Sequence, residues 1–336
     1  MIEKRTKVAL IACSNGMGHV RRMLALAKSL HELGADPVLL APKEKSERLI
    51  ALNNSFKPKI INFQSKTRIN DWLSGKAYNW AQTLPDLSIY HSVVSDNLLE
   101  ILHIRKDAWL SGSFIWQYAL SGIASNQVRN ADKILNQYNP RMISSTLFAA
   151  DYLAKKTRLF KVGLFSFCSS HKYHNGTDIL ISTGTGGAIC DEVEIFLDEI
   201  SNSNRPIKGV IWIEPSLWKS HMPSWIIPAD FTPQMYQKIR CAIIRPGVGT
   251  VTDCLLYGAR IFSFYEKDNY EMRNNATKIQ RAGVGEDSSN INQAWVLALN
   301  YYENSPNQTN HQKAFAVINR NGAMDAAALI LGNQDS

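Results

Sequence analysis

The 336-residue sequence contains no apolar run near the roughly eighteen residues that a membrane-spanning helix requires. At its amino end Lys4, Arg5 and Lys7 precede only a short apolar run, Val8 to Cys13. That run is too short for a signal-peptide core, and it leads into glycine-rich sequence instead of a cleavage site. A first buried strand, in a protein that stays in the cytoplasm, is the expectation. Cysteine is scarce: five residues, at positions 13, 168, 190, 241 and 254, with no pair at redox or metal-ligand spacing. This excludes a disulfide framework and points to free thiols in a reducing compartment. The His171-x-x-His174 pair has no carboxylate or cysteine cluster beside it, so no metal is expected and that segment reads as linker. A dinucleotide fingerprint is also missing. The turn at Gly16 and Gly18 would need a third glycine where Arg21 stands, which disfavours a nicotinamide enzyme.

What is present is a folded chain, 45% hydrophobic and 20% charged, long enough for two domains. Its net charge of +8 gathers partly at Lys4, Arg5 and Lys7 and along Lys155, Lys156, Arg158 and Lys161. No nucleic-acid-binding signature accompanies that charge, so nucleic acid is not expected as a partner. A polyanionic substrate, an anionic membrane surface or a merely solvated basic face all remain open.

Strand and helix patterns alternate throughout, which predicts a parallel α/β architecture. A strand over Lys7–Cys13 leads through Ser14-Asn15-Gly16-Met17-Gly18 into a helix from about His19 to Leu33, stopped by Gly34. A second strand is expected over Pro37–Ala41. A later one over Leu87–Ser95 delivers Asp96 and Asn97 at its carboxyl end. The scheme restarts at Asp178–Ser182, followed by Thr183-Gly184-Thr185-Gly186-Gly187 and a helix from about Ile189 to Ile200. Two Rossmann-like domains are therefore predicted, residues 1–164 and 177–310. A helical stretch over 311–336 is expected to pack back on the first. Ligands of such sheets sit at the carboxyl ends of the strands. Two domains facing each other would set both glycine turns, with Thr183, Gly184, Thr185, Gly186 and Arg22, on one cleft.

The most informative stretch is Arg245–Ala276, RPGVGTVTDCLLYGARIFSFYEKDNYEMRNNA. It reads as strand, glycine turn, helix, strand, acidic-amide turn, helix. A helix start behind Gly247, Val248, Gly249 and Thr250 leaves backbone N–H groups free for an anion. The turn at Asp268, Asn269 and Glu271 supplies oxygens suited to hydroxyls. Thr250-x-x-Asp253 and Asp268-x-x-Glu271 also fit capping boxes, which a helix start alone would select.

With Gly16-x-Gly18-His19-x-x-Arg22, this block resembles the GT-B glycosyltransferases, especially families 1 and 28, the latter including the transferase that completes the lipid-linked peptidoglycan precursor. The resemblance covers both ends of the chain and leaves about Arg68 to Leu164 unmatched. It implies a nucleotide-sugar donor, UDP- or TDP-linked, and no metal or other cofactor. By resemblance, Gly18, Gly247, Val248, Gly249 and Thr250 would meet the donor diphosphate and Asp253 the ribose. Asp268, Asn269 and Glu271 would meet the sugar, and Phe231 and Met235 would lie in the base-binding loop. The family's acidic-Gln or Gln-Gln pair is here Asp268-Asn269, followed by Tyr270-Glu271, so the sugar stays open. The acceptor would be a glycan or lipid-linked glycan of the cell envelope.

His19 opens the first long helix, where the helix dipole favours an uncharged imidazole able to take a proton from an attacking hydroxyl. In the resembling enzymes a histidine here is a proposed base for an inverting transfer, and Asp96 would orient it as in a triad. Capping the turn or touching phosphate is the plainer role for His19. Arg22 would hold phosphates, hold an anionic acceptor or sit on the surface. Trp72 and Trp80 are expected in the core more than at a sugar or membrane. Rival functions are a hydrolase of the same fold, an epimerase, and a donor-binding accessory protein without turnover.

Overall fold

A computed structural model describes residues 5–53, 56–64, 80–119, 122–167, 176–184, 187, 189–288, 290–304 and 309–332. Thr185, Gly186, Cys168, Trp72 and the His171/His174 pair lie outside these residues. The chain forms two compact units. The first runs to Phe167 and takes back the chain from Asn319 onward, and the second lies between.

In the first unit the strands are β1 Lys7–Ile11, β2 Asp36–Ala41, β3 Lys59–Asn62, β4 Ser92–Asp96, β5 Trp109–Ser111, β6 Arg141–Ser145 and β7 Arg158–Val162. They form one parallel sheet in the order β3-β2-β1-β4-β5-β6-β7. Four of the five β1 residues, Val8 to Ile11, are fully buried, as expected of a strand covered by helices on both faces. The helices begin with α1 Met17–Glu32 and α2 Lys43–Asn53. After β5 come α3 Trp116–Ala119 and α4 Ser125–Tyr138, and α5 Leu153–Lys156 follows β6.

α1 starts two residues before the expected His19, because Gly16 takes φ 85° and turns the chain into the helix at Met17. Its face of Val20, Met23, Leu24, Ala27 and Leu30 packs into the core with Leu10, Val94 and Leu39. The expected strand over Leu87–Ser95 shrinks at its start. Arg105 donates to the carbonyls of Leu87, Tyr90 and His91, so that backbone bonds a side chain before the ladder begins at Ser92.

The second unit holds β8 Asp178–Ser182, β9 Ile211–Ile213, β10 Ile226–Pro228, β11 Ile239–Ile244, β12 Arg260–Ser263 and β13 Gly285–Asp287. These are parallel in the order β10-β9-β8-β11-β12-β13. The associated helices are α6 Ile189–Ser201, α7 Pro233–Tyr236, α8 Val248–Leu256, α9 Tyr270–Arg281, α10 Ile291–Asn304 and α11 Thr309–Ala316. The core joins Ile179, Ile181, Ile211, Ile243 and Phe262 of the sheet to Val193, Phe196 and Leu197 of α6 and Ile291 and Ala294 of α10.

The stretch read as one terminal helix is two. α11 belongs to the second unit, and α12 Gly322–Leu331 lies on α1 of the first, adding Ala323, Ala326, Ala327 and Ile330 to its core. Between them the backbone pairs with the end of β7. Leu164 donates to the Asn319 carbonyl and Gly322 to that of Leu164, at 2.8 and 3.0 Å. A Cβ on Gly322 would stand 2.1 Å from the Gly163 carbonyl oxygen. Gly322→Ala is therefore expected to destabilise the first unit by about 1–3 kcal/mol, the usual cost of forcing atoms into a closed contact. Denaturant unfolding followed by tryptophan fluorescence checks this.

Candidate active site

Each sheet reverses its winding once, between β1 and β4 in the first unit and between β8 and β11 in the second. The loops at the carboxyl ends of the strands diverge there and leave room for a ligand. His19, Arg22 and Asp96 fall at the first of these places and Thr183, Gly184 and the start of the helix after β11 at the second, whereas Asp268, Asn269 and Glu271 follow β12 and Phe231 and Met235 follow β10.

In the first unit, His19 stands in the first turn of α1, after β1, and Asp96 is the last residue of β4. The two meet across the switch point, with His19 Nδ1 2.7 Å from Asp96 Oδ2. Asp96 is fully buried and His19 almost so. One turn along α1, Arg22 places Nε 2.9 Å from Asp96 Oδ1, and one terminal nitrogen 3.4 Å from Oδ2 and 3.5 Å from His19 Nδ1. The spacing of three puts His19 and Arg22 on one helix face. The sequence alone leaves Arg22 between a phosphate, an acceptor and the surface; its guanidinium is engaged with Asp96. Among the described residues, none hydrogen-bonds His19 Nε2. The Trp116 ring stands 5.8 Å from the imidazole.

The position of Asp96 is set by its neighbour. Asn97 has φ 56°, a left-handed conformation that few residues other than glycine adopt. With its amide nitrogen facing the carbonyls, it donates to Ser111 at 3.2 Å and Phe114 at 2.9 Å. Its backbone N–H also donates to Ser111, at 2.8 Å. Gly112 leaves space for this side chain, since a Cβ there would lie 1.6 Å from the end of the Asn97 amide. Asp96 thus projects from a strand end locked to the next strand.

Four residues past Asp96, on the turn Leu99–His103, lies a partly buried acid that the sequence did not reveal. Glu100 accepts from Trp80 Nε1 at 3.0 Å and Gln117 Nε2 at 3.2 Å. Burial raises its carboxyl above the usual range, against those hydrogen bonds. Trp80 is fully buried, the core role expected of it. Burial likewise pushes the Cys13 thiol up to about 12. A raised acid holds its proton longer in the folded state than in the unfolded chain. The stability it contributes is present at low pH and is lost as pH rises from the unfolded value through the folded one. Glu100→Gln is expected to flatten stability over that interval and to leave it equal or higher at neutral pH. Denaturant midpoints of both proteins from pH 4.5 to 8 would test this, and a steeper dependence in the variant would refute it.

In the second unit, α8 begins at Val248 with Gly247 at its N-cap position and no side-chain cap. The N–H groups of Val248, Gly249 and Thr250 have no intrahelical acceptor, and these residues are half-exposed. Thr250 lies inside the helix, so its box with Asp253 is not the cap of α8. Asp253 is buried one turn further on. The following turn differs: Asn269, not Asp268, caps α9, accepting from the Met272 N–H at 3.2 Å. Asp268 is exposed, and Asn269 and Glu271 are half-buried. Thr183 is buried and Gly184 exposed at the end of β8. Phe231 is half-buried with φ 54°, while Met235 is packed in the interior of the unit.

Three further residues tie these loops together. Arg245 Nε lies 2.9 Å from Glu266 Oε2, linking the ends of β11 and β12. The other Glu266 oxygen leans toward Gly187, where a Cβ would stand 2.6 Å from it. Buried Asn275 donates to the Pro246 carbonyl at 2.9 Å, anchoring the turn before α8 from α9. The charge pattern Arg245…Glu266 is visible in the sequence, but only the parallel pairing of β11 with β12 makes the two meet.

Among the described residues, no three His, Cys, Asp or Glu side chains are arranged to hold a metal, and no helix is long and apolar enough to cross a membrane. Of the basic run, Lys155, Arg158 and Lys161 are exposed, while Lys156 is ion-paired with Asp132.

No protein-family model matches the sequence, and no curated protein matches it. Solved structures do. Os79 from O. sativa, in complex with U2F and trichothecene, aligns with TM-score 0.68 at 9% identity, covering 97% of this chain and 99% of its own. The glycotransferase of kitacinnamycin aligns with TM-score 0.66 at 10% identity, covering 98% and 99%. SsfS6, a glycosyltransferase of Streptomyces sp. SF2575 complexed with thymidine diphosphate, aligns with TM-score 0.65 at 11% identity, covering 98% and 100%. The fold is that of the GT-B glycosyltransferases. At these identities the likeness extends to the whole backbone and to no particular side chain.

Proposed function

We propose that the protein is an inverting GT-B glycosyltransferase that moves a sugar from a nucleoside diphosphate to a hydroxyl acceptor, with His19 as base. The observation that carries this reading is the 2.7 Å contact of His19 Nδ1 with buried Asp96 at a switch point. Asp96 fixes the tautomer with the proton on Nδ1, so that Nε2 is the nitrogen able to accept one. As the acceptor oxygen attacks the anomeric carbon, its proton passes to Nε2. The bond from that carbon to the diphosphate oxygen breaks on the opposite face, and the imidazolium is stabilised by Asp96. The leaving diphosphate carries the developing negative charge.

In the second unit the N–H groups of Val248, Gly249 and Thr250 would meet that diphosphate, as anions do at helix starts. Gly18, exposed in the first turn of α1, is the first unit's own candidate for a phosphate contact. Asp253 would take the ribose, and Asp268, Asn269 and Glu271 the sugar. Of these, Asn269 already serves as a cap, so its free amide N–H₂ is what it offers. Two relatives in fold are recorded with UDP and thymidine diphosphate, which supports a UDP- or TDP-linked donor. The net charge of +8 supports an anionic or lipid-linked glycan acceptor, met at an anionic membrane surface.

Release of free nucleotide from a panel of UDP- and TDP-sugars, with and without a lipid and glycan extract, tests the reading. Extract-dependent release is expected. Equal release in buffer would make water the acceptor, and no release with any donor would overturn the proposal.

A further inference from the structure

We infer that Arg22 is a positioning residue that balances the buried Asp96 charge, so that His19 is left to act as the base. The inference rests on the reading of His19 above. A carboxylate as buried as Asp96 needs a compensating positive charge. Two groups are in place to supply it: the imidazole of His19 on Oδ2 and the guanidinium of Arg22 against both oxygens. If histidine supplied it, the ring would be protonated and could not accept a proton. Arginine is always charged, so its contact settles the balance without that proton. Its terminal nitrogen, 3.5 Å from Nδ1, also opposes a second positive charge on the ring.

The other groups around His19 do not replace this cation. From the end of β1 comes Cys13, whose thiol burial keeps neutral. Glu100, on the turn Leu99–His103, is held toward its uncharged acid. Trp116 on α3 is uncharged. Lys45 on α2 reaches the turn before α1, but its ammonium is spent on the Ser14 carbonyl at 2.8 Å. Asp96 cannot swing away to another partner, because Asn97 is clamped to the carbonyls of Ser111 and Phe114. His-x-x-Arg on one face of α1 is then a single device, with both side chains meeting one carboxylate.

The test is an NMR titration of the His19 ring in the whole protein, its signal assigned by loss in His19→Gln. In Arg22→Gln the midpoint is expected to rise by about one unit, the effect of removing a neighbouring charge. The acid limb of kcat/KM for nucleotide release should move with it, so activity falls about tenfold on the acid side and recovers at high pH. Arg22→Lys, which restores the charge, should recover most of the shift. An unchanged or lower midpoint in folded Arg22→Gln overturns the inference, as does a uniform activity loss at every pH with the midpoint unmoved. Arg22→Met keeps the aliphatic stem and carries the same measurement if Arg22→Gln does not fold. A midpoint that rises while His19→Gln retains full turnover would sink the base reading instead and leave the charge coupling standing.

Discussion

His19→Ala is expected to lower turnover by about 10²-fold or more while leaving nucleotide affinity nearly intact. The two halves of that expectation come from different parts of the chain. Under the proposed reading, turnover depends on Nε2 of a ring whose other nitrogen is held 2.7 Å from Asp96. Without the ring, the acceptor hydroxyl must lose its proton to water during attack, and general-base catalysis is typically worth 10² to 10⁴. Under the proposed reading, nucleotide affinity resides at the start of α8. Truncation removes one partner of buried Asp96 and leaves it the Arg22 guanidinium, so the thermal midpoint of the variant is measured before its turnover is compared. Single-turnover release, with nucleotide binding measured by calorimetry on the same sample, checks both halves. Full turnover in the variant would remove His19 from the mechanism. A parallel loss of affinity would mean that the ring contacts the donor.

The pairing behind this prediction is legible in the sequence because it needs only topology. A strand-turn-helix start and the end of a later strand are brought together wherever β1 and β4 are neighbours in a parallel sheet. Asp96 at a strand terminus carries that information in its position. Arg22 does not. Its partner lies 74 residues away, and nothing near it distinguishes a phosphate-binding arginine from one turned onto a carboxylate. Glu100 is invisible in the sequence for the same reason. A lone glutamate in Asn97-Leu-Leu-Glu100-Ile reads as a solvated helix residue, and only the folded chain sets Trp80 and Gln117 against it. The shortened β4 reflects a tertiary contact, Arg105 taking carbonyls that the apolar pattern assigns to a ladder. The Arg245–Ala276 block is readable in order and nearly in boundaries, since each of its elements ends in a local signal. Where two local signals compete, at Asp268 and Asn269, the residue that serves as cap is decided by one hydrogen bond, from Met272.

Gly247→Asp separates the structural role of the α8 start from its proposed ligand-binding role by moving them in opposite directions. Gly247 occupies the N-cap with φ −65° and ψ 135°, extended backbone that any residue adopts. A Cβ there would have no neighbour nearer than the Arg245 carbonyl oxygen at 4.0 Å. Aspartate is among the preferred N-cap residues, and its charge complements the positive end of the helix. Stability should hold or rise by a few tenths of a kcal/mol. The same carboxylate stands where the donor diphosphate would meet the N–H groups of Val248, Gly249 and Thr250. It competes for those donors and repels the incoming charge. Donor affinity is expected to fall about a hundredfold, corresponding to roughly 2.7 kcal/mol. Gly247→Asn is the matched control, because it caps equally well without the charge and should lose no more than a few-fold. Thermal midpoints and nucleotide titrations on the three proteins give the answer. Equal affinity in the aspartate variant would show that no diphosphate is bound at this helix start. Equal losses in both variants would trace the effect to the added side chain and not to its charge.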